Sequence, residues 1–112
     1  MRGQFGFPPS LRLRKRADFL RLSRDGKKVN LPHFIMIYRK NSDGLLRFGI
    51  TVSRKVGNAV IRNRVKRLVR DVCRHETSVH PADYNIIART GAGLLDVATV
   101  RLELETAFRQ VS

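Results

Sequence analysis

The residues most able to do chemistry on this chain are cations at helical spacing. Between Ser53 and Glu76 lie 8 of its 23 Lys and Arg residues. At 100° of rotation per residue, Ile61, Val65, Leu68, Val69 and Val72 fall in one sector of roughly 100°, the width of a core-facing stripe. Arg62, Asn63, Lys66, Arg67, Arg70 and Arg74 fall in the adjoining sector. Such a helix gives its own protein an apolar flank and offers a basic flank to an anion. A helix built only for solvation would set Glu against Lys at i,i+4, yet only Asp71 and Glu76 oppose these cations. The chemistry implied is charge-assisted hydrogen bonding to phosphate, which the planar arginine fork does bidentately. A merely soluble basic surface is the alternative reading.

Bond-breaking chemistry is harder to place. His33, His75 and His80 fall at a turn, a helix end and a loop, and with one cysteine they make no recognised metal-ligand spacing. Cys73 and His75 are two apart on a helix and diverge, which spoils a thiolate pair. The same geometry separates Glu103 from Glu105, so no general acid/base pair emerges from the nine carboxylates. His75 reads as a cation at a helix C-terminus and Cys73 as a small core-edge residue. Gly91 and Gly93 are turn residues, and no Walker-type glycine loop is present.

The whole chain shares this bias. Its 112 residues suffice for one domain with a single core, and its formal net charge is +14. Residues 1–28 carry nine Lys/Arg against two acids, whereas residues 81–112 carry three against four. A polyanion should therefore meet the N-terminal part and the basic helix. No run approaches a membrane span, no signal-peptide core opens the chain, and the lone cysteine suits a reducing compartment. The expected location is cytoplasmic, with no membrane partner and no obligate protein partner evident.

These residues need elements to position them. Residues 1–10, with Gly3, Gly6, Pro8 and Pro9, read as an extended arm and residues 11–112 as the domain. A short helix is expected over Lys15–Arg24, ended by Asp25-Gly26. Lys28 to Lys40 reads as extended chain broken near Pro32, with Phe34–Tyr38 as its strong strand. Asn41 to Gly44 has hairpin-turn composition and Leu45–Ser53 is the expected return strand, giving a meander. Asn58 is the expected N-cap of the basic helix, which runs to about His75. Asp83–Thr90 reads as a strand. A last helix, capped by Asp96, places Val100, Leu104, Ala107, Phe108 and Val111 on one face. The order is αβββαβα, an α+β domain with helices packed on a mixed sheet.

The segment from Ser53 to Arg70 closely resembles the signature of the bacterial ribonuclease P protein subunit. In that signature a strand ends in Ser-Arg/Lys-Lys, a Gly-Asn-Ala turn follows, and the helix carries Arg-Asn-Arg-x-Lys-Arg. Here these are Ser53, Arg54, Lys55; Gly57, Asn58, Ala59; and Arg62, Asn63, Arg64, Lys66, Arg67. Leu11–Gly26, Leu46–Val52 and Asp83–Arg89 resemble the family's first helix, central strand and last strand.

The resemblance implies a ribosomal-protein-S5-domain-2-like fold in which a left-handed βαβ crossover carries the basic helix, against the usual right-handed rule. It implies an endoribonuclease whose catalytic centre lies in an RNA subunit, using Mg²⁺ held mainly by RNA, with none bound by the protein alone. The product is the mature 5′ end of tRNA. Arg54, Lys55, Asn58, Arg62, Asn63, Arg64, Lys66, Arg67 and Arg70 are then expected to contact the RNA subunit. Asn63 has a second reading, tying the helix to the adjacent loop.

The 5′ leader of precursor tRNA is expected in a cleft between the first helix and the sheet, on Phe19, Ile37, Thr51 and Arg89. Phe19 lies among Arg16, Arg21 and Arg24 and suits base stacking beside a positive groove, or else a core position. Two departures from the family pattern stand out. Ser23 replaces an aromatic found in many members, and Ile37 stands where some have tyrosine, which turns Tyr38 to the opposite face. The runner-up is a ribosomal-type structural RNA-binding protein. A helix-turn-helix DNA binder lacks the helix needed before Leu68.

Overall fold

The computed structural model describes residues 15–41, 44–75 and 79–111. The expected arm at residues 1–10, and Ser42 and Asp43 of the expected turn, lie outside them. Strands β1 (Lys27–Asn30), β2 (Phe34–Arg39), β3 (Arg47–Val52) and β4 (Asp83–Ala88) form one sheet. Helices α1 (Arg16–Asp25), α2 (Ala59–His75) and α3 (Val97–Arg109) complete the expected order, with a 3₁₀ turn at Ala92–Leu94 before α3.

The meander is corrected. The strands run β1-β2-β4-β3, so β4 separates β2 from β3. β2 pairs with β4 antiparallel, Phe34 opposite Ala88 and Arg39 opposite Asp83. β3 pairs with β4 parallel, Arg47 opposite Asp83 and Val52 opposite Ala88. The physical reason is the composition of β4: Tyr84, Asn85, Ile86 and Ala88 are all buried, so this strand belongs in the middle with both edges and both faces covered. The β2–β3 connection spans the end of β4 instead of turning tightly. There Asn41 Nδ2 donates to Asp83 Oδ1 at 2.9 Å and to the Leu45 carbonyl at 2.8 Å, and Arg47 Nη1 donates to the same Asp83 oxygen at 3.1 Å.

Alternation along the strands sends two residue sets to two faces. On one face Phe34, Met36, Tyr38, Phe48, Tyr84 and Ile86 meet Val65, Val69, Val72 and Cys73 of α2 and Val100, Leu104, Ala107 and Phe108 of α3. Tyr84 sits at its centre. Its ring stacks on Phe48 at 5.4 Å and Tyr38 at 6.1 Å and meets the Phe108 ring edge-on at 5.5 Å. Its hydroxyl donates to the His80 carbonyl at 2.7 Å. Burial, reinforced by Tyr38 and Cys73, pushes the Tyr84 phenol up to about 12.

The other face carries α1, through Leu22 on Ile37 with Phe19, Ile35 and Ile87 packed around them. Gly26 lets the end of α1 lie directly on β2: a Cβ there would stand 2.6 Å from Ile37 Cγ2 and 2.6 Å from the Leu22 carbonyl oxygen.

Caps fix the ends of the other helices. Asn58 Oδ1 accepts the Ile61 N–H at 3.0 Å, opening α2 as expected. Asp96 Oδ1 accepts the Thr99 N–H at 2.8 Å, and that bond holds the Asp96 carboxyl below its usual range. At the C-terminal end of α2, His75 Nδ1 lies 2.8 Å from the Asp71 carbonyl oxygen.

Candidate nucleic-acid interface

The apolar stripe of α2 fixes where its cations go. Val65, Val69 and Val72 are buried against the sheet, which turns Asn63 and Arg67 outward and leaves Lys66 and Arg70 half-covered beside them. Val60, Asn63, Lys66, Arg67 and Arg70 line one shallow groove on the outer surface of α2. Arg67 and Arg70 also border a second depression with Leu68, Asp71 and Arg74. Arg54 and Lys55 are exposed on the turn that leads into the helix. Arg62 is half-buried, and its Nε is a covered donor without a hydrogen-bond partner among the described residues. Unopposed cations along one ridge, spaced by the 5.4 Å helical pitch, suit successive phosphates of a nucleic acid.

Arg64 does something different. Its Nη1 donates to the Gly93 carbonyl at 3.1 Å and its Nη2 to the Leu95 carbonyl at 2.9 Å. The fork expected to meet RNA is engaged inside the protein, fastening α2 to the turn before α3. A tie from this helix to a neighbouring loop, the second reading of Asn63, is therefore made by Arg64, while Asn63 stands exposed in the groove. Helical geometry carries the signal: Arg64 is three residues after Ile61 and four before Leu68, so it borders the apolar flank on the side away from Arg62. Gly93 permits the close approach, because a Cβ there would stand 2.6 Å from Ile61 Cγ2.

On the opposite side of the sheet, where the leader cleft is expected, α1 packs on β2 and β4. Phe19 is half-buried and packs on the Leu22–Ile37 pair, so it is partly a core residue and partly cleft wall. Ile37 lies on the α1 side, but Leu22 and Gly26 cover it and it is only 4% exposed. Its side chain serves as the floor under α1, and the half-open apolar residues beside it are Ile35 and Ile87. Thr51 is exposed on the same face, where its Oγ1 donates to Oδ1 of the buried Asn85 at 3.0 Å. Arg89 is exposed just beyond β4.

Near the Arg39–Asp83 end of the same face an open pocket of about 750 Å³ is lined by Lys15, Asp18 and Arg21 of the α1 segment and by Arg39, Lys40, Asn41, Arg47 and Asp83. Of the cations at this end the sequence singles out Arg21, close to Phe19 on the first helix, and Arg39, which shares the alternation of Ile35 and Ile37. Arg47 and Asp83 are brought there by strand pairing that spacing alone does not reveal.

Among the described residues no group of three or more His, Cys, Asp or Glu stands close enough to hold a metal ion. No described helix is long and apolar enough to cross a membrane. The fold and its surfaces define an α+β protein with two cationic surfaces, one on each side of a four-stranded sheet.

The ribonuclease P family profile matches residues 7–112. The chain is 44% identical over 109 residues to the ribonuclease P protein component of Geotalea uraniireducens, covering 96% of each chain. It is 45% identical over 111 residues to that of Desulforapulum autotrophicum, covering 97% of this chain and 95% of the relative. The solved RNase P protein of Staphylococcus aureus superposes with a TM-score of 0.82 at 33% identity, covering 88% of this chain and 93% of that one. That of Thermotoga maritima gives 0.82 at 34% identity, covering 90% and 97%. This chain belongs to the ribonuclease P protein family.

Proposed function

We propose that the chain works with a ribonuclease P RNA to remove the 5′ leader of precursor tRNA, α2 docking on the RNA subunit and the α1 cleft holding the leader. The observation that carries this reading is the pair of separated cationic surfaces. One is the shallow cationic groove on the outer surface of α2 around Arg67 and Arg70, suited to the backbone of a folded RNA. The other lies on the α1 face, which carries the partly open apolar Phe19, Ile35 and Ile87 and a pocket lined by Arg21 and Arg39, the kinds of residue that stack bases and line a positive groove for single strands. Hydrolysis of the phosphodiester belongs in this reading to Mg²⁺ ions held by the RNA. Protein cations repel Mg²⁺, so the protein's contribution to metal use runs through ordering the RNA ligands.

Arg67→Ala tests the docking half. Binding to the RNA subunit should weaken, with the slope of log K against log salt reduced by up to ~0.9 for each phosphate the variant no longer neutralises. An unchanged slope contradicts docking through this groove. Cleavage by the RNA subunit measured against Mg²⁺ concentration tests the metal statement, which fails if added protein leaves the requirement unchanged.

A further inference from the structure

We infer that Glu103, on the far side of the sheet from the cleft, is a positioning residue that sets Arg89 for the leader. The inference rests on the cleft being the leader site.

The Glu103 side chain is only 10% exposed and commits both carboxylate oxygens to one residue. Oε1 accepts the His33 backbone N–H at 3.0 Å, and Oε2 lies 2.5 Å from His33 Nδ1. The two contacts hold the His33 ring in one orientation relative to its own backbone. Backbone and ring are thus clamped together, and the turn between β1 and β2 is fixed where it enters β2.

The clamped turn holds Arg89. The His33 carbonyl accepts the Arg89 N–H at 2.9 Å, extending the β2–β4 ladder by one bond, and the Leu31 carbonyl accepts Arg89 Nη1 at 3.2 Å. Leu31 is itself anchored by burial and by its N–H to the Phe34 carbonyl at 2.8 Å. The result is an exposed guanidinium with one corner of its fork tethered. A free arginine loses much rotamer freedom when it closes on a phosphate, whereas a tethered one has surrendered part of it beforehand. An apolar residue at position 103 could pack there without desolvating a charge, so a carboxylate joined twice to His33 has a task other than packing.

The test uses the holoenzyme assembled with its cognate RNA, and compares affinity for precursor tRNA with that for mature tRNA. Glu103→Ala should weaken precursor binding ~3- to 10-fold, the range of one or two hydrogen bonds, and leave mature tRNA unchanged. Arg89→Ala should do the same, and the double variant should be no worse than Arg89→Ala alone. Exchange of the Arg89 amide proton should speed up in Glu103→Ala. Should Glu103→Ala fail to fold, His33→Ala, which keeps the backbone bond to Oε1, is expected to give a smaller loss of the same leader-specific kind.

Equal losses for both RNAs, or full additivity with Arg89→Ala, overturn the positioning role. An Arg89→Ala variant with no leader effect overturns it too. In that event faster Arg89 amide exchange in Glu103→Ala traces the failure to the reading of the cleft, and unchanged exchange traces it to the relay.

Discussion

The two faces of the sheet are made from the same strands and are packed very differently. On the α2/α3 side, twenty described residues are buried in one cluster, with Tyr84 locked among Phe48, Tyr38 and Phe108. On the α1 side the buried apolar cluster among the described residues is Leu22 and Ile37, while Phe19, Ile35 and Ile87 stay partly open and Thr51 is exposed. The difference follows from helix supply. Two helices cover one face, whereas the single ten-residue α1 covers part of the other. Period-two alternation therefore lets each strand serve the core with one set of side chains and leave the other set partly open.

The largest expected effect breaks the packed face. Tyr84→Ala should cost ~3 to 5 kcal/mol, a large share of the ~5 to 15 kcal/mol of a domain of this size, measured by urea unfolding. A loss under ~1 kcal/mol would show that the two faces are not so unequal. The same residue sharpens the contrast through pH. Its phenol titrates at about 12 in the folded chain against an ordinary 10.0. The unfolded chain therefore gives up this proton first as pH rises. The stabilisation is whole below about pH 10, and ~2 to 3 kcal/mol is lost as pH climbs through about 12. Tyr84→Phe should abolish that part of the alkaline slope in unfolding curves taken across this window.

On the open face the expected effects fall on binding more than on stability. Phe19→Ala should weaken holoenzyme binding of precursor tRNA by ~1 to 3 kcal/mol, the worth of one stacked base, with mature tRNA little affected. Equal losses for both RNAs would instead assign Phe19 to the core. The smallest effect concerns the entry to α2. Asn58→Ala removes the cap and should cost ~1 kcal/mol of stability, whereas Asn58→Ser keeps a capping oxygen and should recover most of it. If RNA-subunit affinity also recovers with serine, the residue acts through the cap; if it stays low, the amide itself touches RNA.

Where local pattern decides structure, the sequence is readable. The α2 stripe from Ile61 to Val72, the Asn58 and Asp96 caps and the buried face of α3 all follow from residues within a turn or two of one another. Strand order is not readable from alternation, because β2 and β3 alternate alike whether or not β4 lies between them. The position of Tyr84 between the Tyr38 and Phe48 rings settles it, and that needs the whole core.

The site divides along the same line. Arg67 faces outward and Arg70 lies half-covered beside it, as helical periodicity dictates. Ile37 is on the α1 side yet covered, since no local pattern reveals how closely Gly26 lets α1 approach. The family signature groups Arg64 with the cations expected to meet RNA, whereas helical spacing sets it on the other border of the apolar flank, and the carbonyls that engage it lie about thirty residues away. His33 and Glu103 stand seventy residues apart, beyond the reach of any spacing rule.

The most direct test is cleavage of a 5′-leader precursor tRNA by the cognate ribonuclease P RNA at low Mg²⁺, with and without this protein. The account predicts cleavage only when both are present, with a mature 5′ end as product. No stimulation, despite tight binding to the RNA subunit, would contradict it.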